Sequence, residues 1–317
     1  MFASPCWGLI MREAYGNRRY CIIARRGGKV VGALQLVAQK SVLFGSHLCS
    51  LPYLDAAGIV ADDLAVQEAL CGQAWQLSRE LKADWVELRQ YSRLQGLEHV
   101  RTDKVSLCLP LPHAPEELWD SLKPKVRNQI RKAQNADLTT CNGRDEMLSE
   151  FYTIYTRNMR DLGSPPHSMR FFRLILDSFP ESARLFVVRL ADRPVAASFT
   201  LTDPQATRVP WAGSDWRYSD LSPNMLLYWS MLQDACRRSA PGFDFGRSTR
   251  DSGTYRFKTQ WGSHEVPLYW HYLLPEGAQM PQLRPDNPKY RLVAACWRRL
   301  PVSVVRALGP RIIAKLT

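Results

Sequence analysis

The sequence predicts a mixed α/β protein, α+β in arrangement, made of two similar domains, and three observations lead there. Its 317 residues exceed what a single core usually serves, roughly 250 to 300 residues. Hydrophobic residues make up 45% and charged ones 23%, with 10 Trp, 12 Tyr and 11 Phe, which is ample apolar surface to offset chain entropy and excludes wholesale disorder. The halves also repeat one order of elements. Gly28-Lys29-Val30-Val31-Gly32-Ala33-Leu34 sits in a hairpin as Asp192-Arg193-Pro194-Val195-Ala196-Ala197-Ser198 sits in another, and each is followed by more strand, a long helix and a strand ending in Arg89 or Arg247. Internal duplication explains that echo more economically than chance.

In the first half, residues 5–15 read as a helix, and 19–24 and 29–37 as strands joined by Gly27 and Gly28, a hairpin signal. Residues 47–52 give a short strand. Residues 62–82 carry a helical spacing of Leu64, Ala65, Leu70, Ala74, Trp75 and Leu81, with Asp62 or Asp63 as cap. Strands at 85–88 and 105–109 follow, and Pro110, Pro112 and Pro115 mark a boundary. This places one domain at 1–110, a second at 111–280 and a basic tail at 281–317.

The second half opens with helices at 115–122, 124–134, 146–162 and 169–179. A meander of strands at 183–190, 194–201 and 207–213 comes next, then a helix at 223–238, a strand at 242–246, a helix near 254–261 and a strand at 265–274. Each domain is thus a mixed, mostly antiparallel sheet flanked by helices.

Lys and Arg number 42 against 30 acids, a formal charge of +12, which favours anionic partners such as phosphates, nucleic acid or acidic lipid. The tail holds eight bases (Arg284, Lys289, Arg291, Arg298, Arg299, Arg306, Arg311, Lys315) against Asp286, interleaved with apolar residues as in short amphipathic helices broken by Pro301 and Pro310. Such a segment either lies on an acidic membrane surface or packs back on the body with its arginines in water. The eight cysteines have no short-spaced pair, so reduced thiols and a cytoplasmic protein, peripheral at most to the inner face of a membrane, are expected. No Gly-x-Ser-x-Gly, Walker A or His-Glu-x-x-His pattern is present, which moves serine and metal hydrolysis back.

Three stretches carry candidate chemistry. Lys123, Arg127 and Arg131 recur every four residues opposite Val126, Ile130 and Ala133, and like charges so close favour a bound anion over a bare solvated face. Strand alternation in Gly242-Phe243-Asp244-Phe245-Gly246-Arg247-Ser248 sends Asp244 away from its phenylalanine neighbours into a covered sheet, where Arg247 or Arg250 can pair with it. The turn beyond, reaching Asp251, lies where α/β proteins commonly place ligands. Tyr255-Arg256-Phe257-Lys258 sets an ammonium among aromatic rings, either in a partly dry cleft where it would steady an oxyanion or as a snorkelling lysine on an amphipathic helix.

Lys125 to Ala133, Trp211-Ala212-Gly213-Ser214, Pro223-Asn224, Asp244-Phe245-Gly246-Arg247-Ser248 and Phe257-Lys258-x-x-Trp261-Gly262 together resemble the FemAB family, in its branch associated with exosortase and PEP-CTERM exopolysaccharide systems. Ser50-Leu51-Pro52-Tyr53 and Leu43-Phe44-Gly45 are similar to that branch too, and the likeness spans about residues 5–275. The resemblance implies two tandem GNAT-like acyltransferase domains, the first expected to lack its opening strand, and acyl transfer to an amine on a cell-envelope precursor. It implies Phe257 and Lys258 at the reaction centre; in an acyl transfer there, Asp244 or Asp251 is expected to receive or relay the amine proton. Lys123, Arg127, Arg131, Tyr53, Trp211, Ser214, Asn224, Arg247, Ser248 and Tyr255 are then expected around a phosphate-bearing substrate. Neither a bound cofactor nor a metal is expected; the donor is aminoacyl-tRNA or acyl-CoA. The alternative is a non-catalytic module that binds a nucleotide sugar or lipid diphosphate.

Overall fold

A computed structural model describes residues 4–41, 45–281 and 288–315, so Leu43 and Phe44 and the tail residue Arg284 lie outside the described residues. In chain order the elements are α1 (Cys6–Tyr15), β1 (Arg19–Arg26), β2 (Lys29–Ser41), β3 (Gly45–Cys49), β4 (Val60–Ala61), α2 (Leu64–Glu80), β5 (Trp85–Gln90), β6 (Val100–Arg101) and β7 (Lys104–Pro110). They continue with α3 (Pro115–Ser121), α4 (Pro124–Gln134), β8 (Leu138–Gly143), α5 (Leu148–Leu162), α6 (Met169–Ser178), β9 (Ala183–Leu190), β10 (Arg193–Thr202) and β11 (Thr207–Ser214). A short 3-10 segment (Trp216–Leu221) leads to α7 (Pro223–Arg237), β12 (Gly242–Thr249), α8 (Gly253–Thr259), β13 (His264–Pro267), β14 (Tyr269–Leu273), α9 (Pro288–Arg298) and α10 (Val302–Ile313).

Two compact units result. Unit 1 comprises Met1–Val105, Pro267–Asn287 and Pro310–Thr317, and unit 2 comprises Ser106–Val266 and Pro288–Gly309. One sheet runs β1-β2-β3-β5-β14-β6 with β4 beside β2, and the other runs β13-β7-β12-β11-β10-β9-β8. The first is covered by α2, which Asp63 starts by accepting the amide of Val66 at 3.0 Å. Val66, Leu70 and Ala74 then pack with Leu34, Leu48, Val86 and Leu88. In unit 2, Val126, Ile130 and Ala133 of α4 are all buried, as their spacing predicts.

The repeated order of elements has a structural counterpart. In unit 1, β3 and β5 are parallel and joined by α2; in unit 2, β11 and β12 are parallel and joined by α7. Parallel neighbours need such a crossover because a tight turn can only reverse the chain.

The domain limits differ from the expected 110 and 280. The strand expected at 265–274 is two strands: Pro267, lacking an amide to donate, ends β13, and after Leu268 the chain enters the first sheet as β14, antiparallel to β5. Conversely β7 joins the second sheet beside β12, with Val105, Ser106 and Leu107 all buried. The edge strand β8, unforeseen, is a short polar run with no apolar alternation to announce it. The tail packs back: Trp297 and Val305 are buried, and the Trp297 indole donates to the carbonyl of Ser164 at 3.0 Å. Pro310 does not break α10.

Candidate functional site

In unit 2 the registered pairing of β11 with β12 covers only Thr207 with Phe243 and Arg208 with Asp244, although both strands run on to Ser214 and Thr249. Gly246 is where they part. Its φ is +78°, and a Cβ there would stand 2.9 Å from the carbonyl oxygen of Val209. Only glycine tolerates both that dihedral and that approach to backbone. We expect Gly246→Ala to lower unfolding free energy by about 2 kcal/mol or more, read from urea midpoints.

Side chains fix the kink from both sides. The Asp244 carboxylate accepts from its own strand's Gly246 amide at 2.8 Å and from the Ser106 hydroxyl of β7, with Arg208 at 4.0 Å. From α8, Lys258 donates to the carbonyls of Gly246 at 2.8 Å and Arg247 at 3.0 Å while only 8% exposed. The lysine is therefore neither snorkelling nor in bulk solvent. Phe257 beside it packs edge-on against Tyr228 at 5.0 Å.

Of the two partners expected for Asp244, Arg250 needs correction. Arg250 pairs instead with Glu265 at 2.9 Å, and Glu265 also accepts from Tyr255 at 2.7 Å. The Tyr255 bond and the Arg250 guanidinium hold the Glu265 carboxyl below its usual range, and the trio ties down the turn that leaves β12. Asp244, enclosed by its own strand's amide, Ser106 and Arg208, is a strand-linking residue and is poorly placed to relay a proton. Asp251 stands exposed in the turn with φ +62°.

At the same end of the crossover, Asn224 in the first turn of α7 donates to Ser214 at the end of β11 at 2.9 Å. No side chain caps α7; Pro223 brings no amide and Met225 donates its own to the Ser222 carbonyl at 2.9 Å, which leaves the Asn224 amide as the one in that turn that could meet an anion. Ser248, 4% exposed, has a hydroxyl without a hydrogen-bond partner among the described residues. Arg247 is exposed.

Other expected residues lie elsewhere. Trp211 is a core residue, 5.2–6.0 Å ring to ring from Phe172, Phe171, Phe199 and His167. Arg131 lies over the Trp119 ring at 5.4 Å in a cleft of about 430 Å³ that Glu116 and Asp120 also line, and those acids make it a poor phosphate site. Lys123 is not within the helical stripe but precedes it, exposed, and Arg127 is half-buried. Tyr53 belongs to unit 1, where its hydroxyl donates to the carbonyl of Ile313 at 3.1 Å.

The equivalent strands of unit 1 are closed. Pairing through Cys49 and Glu87 continues with the Ser50 amide on Glu87 carbonyl at 2.9 Å, the Arg89 amide on the Ser50 hydroxyl at 2.8 Å and the Ala57 amide on Arg89 carbonyl at 3.1 Å. The Arg89 guanidinium fills the remaining space, bonded to Glu87 at 2.7 Å and to Leu54 carbonyl at 2.9 Å and 4.2 Å above Trp270. Burial raises the Glu87 carboxyl, but the Arg89 charge prevails and holds it below its usual range. Sequence reading missed this pair; the alternation Glu87-Leu88-Arg89 carried the signal, since it puts both charges on one face.

Two mixed sheets flanked by helices, each with a parallel pair bridged by a long helix, make this the fold of tandem GNAT proteins. Residues 121–259 match the family model of an acetyltransferase (GNAT) domain, so the stretch of unit 2 that contains the parted strands is an acyltransferase fold. Over the whole chain the structure is similar to the crystal structure of FemX, with TM-score 0.68 at 15% identity, covering 93% of this chain and 94% of that one. It is also similar to L-PGS from Bacillus licheniformis (TM-score 0.58, 10% identity, 94% and 98% covered). A tandem GNAT protein from the clavulanic acid biosynthesis pathway gives 0.54 at 13% identity, with 85% and 87% covered. The comparison with curated proteins gave no match.

Proposed function

We propose that the protein is an N-acyltransferase that moves an acyl or aminoacyl group from an activated ester or thioester to an amine on a cell-envelope or exopolysaccharide precursor, with the reaction in unit 2. One observation carries this: β11 and β12 part beyond Arg208 and Asp244 with the buried Lys258 at the parting, while the equivalent strands of unit 1 are zipped and filled. Backbone groups that parted strands no longer give each other demand another partner. An extended donor chain, the amide-bearing arm of acyl-CoA or the aminoacyl end of a charged tRNA, would satisfy them.

In the reaction the amine nitrogen attacks the acyl carbonyl carbon, and the carbonyl electron pair moves onto oxygen. Collapse of that intermediate expels thiolate or ribose oxygen, and the amine proton leaves to solvent beside the exposed Asp251. The charge of Lys258 stabilises the oxyanion; holding amine and ester together supplies much of the remaining rate. Both donors bring phosphates, toward which the Asn224 amide in the first turn of α7 and the exposed guanidinium of Arg247 would contribute.

The test is incubation with acyl-CoAs or aminoacyl-tRNA and amine-bearing sugars, with mass spectrometry of the products. A new amide supports the proposal. Nucleotide-sugar binding without any amide would replace it with the non-catalytic module. Because the Ser248 hydroxyl has no partner to lose among the described residues, Ser248→Ala should leave stability within about 0.5 kcal/mol. Its kcat/KM should fall about tenfold if that hydroxyl meets the donor.

A further inference from the structure

Four of the most exposed large apolar side chains of unit 2 gather at the C-terminal end of α5: Leu162 at 59%, Trp216 at 66%, Leu292 at 68% and Val293 at 64%. Contacts within the unit bring them there. Asp215, just before Trp216, is bonded by Arg157 of α5 and by Arg217, and Gly213 lies against Asn158 of α5. On the other flank Gly163 touches Ala294 of α9, Arg298 donates to the Leu162 carbonyl at 3.4 Å, and Trp297 to that of Ser164 at 3.0 Å.

The charges around these side chains leave a modest positive excess, five arginines against three acids. Arg157, Arg160, Arg217, Arg298 and Arg299 share this end of the helix. Of the nearby acids, Asp161 is held by Arg160 and Asp215 by Arg157 and Arg217, leaving Asp220. Exposed apolar tips, an indole among them, beside Arg298 and Arg299 match the boundary of an acidic bilayer, where indoles settle at headgroup level and cations meet lipid phosphate. Among the described residues no helix is long and apolar enough to cross a membrane.

We infer that this end of unit 2, formed jointly by α5, the 216–221 segment and α9, rests on the surface of an anionic membrane. It differs from the basic tail at 281–317 lying on a membrane by itself, one of the two expectations for that segment, because Trp297 and Val305 are already spent on packing within the protein. The surface stands apart from the acyl-transfer reading: Lys258→Met should bind vesicles as the parent does.

The experiment is flotation of the full chain with vesicles of phosphatidylcholine containing about 30% phosphatidylglycerol, against phosphatidylcholine alone, at low and high salt. Preference for the acidic vesicles by about tenfold, weakened by salt, is expected. The triple variant Trp216→Ser, Leu292→Ser, Val293→Ser should lose about fivefold or more of that binding, with its melting temperature unchanged because these side chains are exposed. Arg298→Gln with Arg299→Gln should weaken the acidic preference by a similar factor. Failure of the parent to float, or equal flotation of the triple variant, overturns the inference. So does a parent that sediments as a dimer which the triple variant abolishes, since the patch would then serve a second copy of the chain.

Discussion

Replacing Lys258 by methionine should lower single-turnover acyl transfer by about 10²- to 10³-fold, the usual effect of deleting one oxyanion-stabilising group from a preorganised site. The lysine has two tasks at one atom. Its hydrogen bonds to the carbonyls of Gly246 and Arg247 hold β12 in its kinked course, and in the proposed reaction its charge acts beside Gly246, where β12 parts from β11. Methionine fills the same volume but supplies neither donors nor charge, leaving two carbonyls to find partners at a stability cost of about 1–3 kcal/mol. Near-ultraviolet circular dichroism and the urea midpoint separate loss of fold from loss of chemistry. A folded Lys258→Met protein that turned over at the parent rate would remove the lysine from the reaction.

How much of this was legible in the residues depends on the range over which each feature is decided. The hairpins, the long helices and the echo between halves are local patterns, and α2, α4 and α7 start where Asp63, Pro124 and Pro223 announce them. Sheet membership is not local: nothing in the alternation of 104–110 tells β7 to pair with β12, and that choice rests on contacts such as Ser106 with Asp244, distant in sequence. The same limit applies to the site. A carboxylate in a covered strand was readable at Asp244, but which arginine it meets depends on strand order, and Arg208 of the neighbouring strand is nearer than Arg250. Trp211 looked like a binding residue because it stands in a motif; its burial among four rings follows from α6 packing there. The contrast between an open and a closed parallel pair, the best guide to where chemistry occurs, exists only in three dimensions.

Acid should destabilise the protein from pH about 6.5 downward, above the carboxylate range, because three histidines are buried neutral. Burial pushes His47 and His271 to about 4 and His167 to about 3, against 6.5 for the free group. His47 is stacked on Trp85 at 4.7 Å, where Glu87 and Asp84 favour its proton and Arg89 opposes it; His271 accepts the Leu94 amide at 3.1 Å and so must stay neutral, and Arg93 adds to that; His167 is enclosed by Tyr155, Phe171 and Trp211. With folded values below the free one, the unfolded chain takes up protons first as pH drops, so stability is complete above pH about 6.5 and declines from there toward pH 4 and below. Each histidine removes about 1.4 kcal/mol per pH unit once fully in that window, so by pH 5 the two in unit 1 remove about 4 kcal/mol and the one in unit 2 about 2 kcal/mol, against the roughly 5–15 kcal/mol typical of a domain. Asp215 cannot account for such a loss: although burial opposes it, bonds from Arg217 and Arg157 keep it down at about 2, so its contribution fails only below pH about 4. Urea midpoints at pH 7.5, 6 and 5 should therefore fall steadily, and unit 1, holding His47 and His271, should yield first. His167→Phe, which keeps the ring within its aromatic enclosure and removes the titration, should flatten the response of unit 2; midpoints independent of pH over this interval would show that these imidazoles are not held neutral by burial.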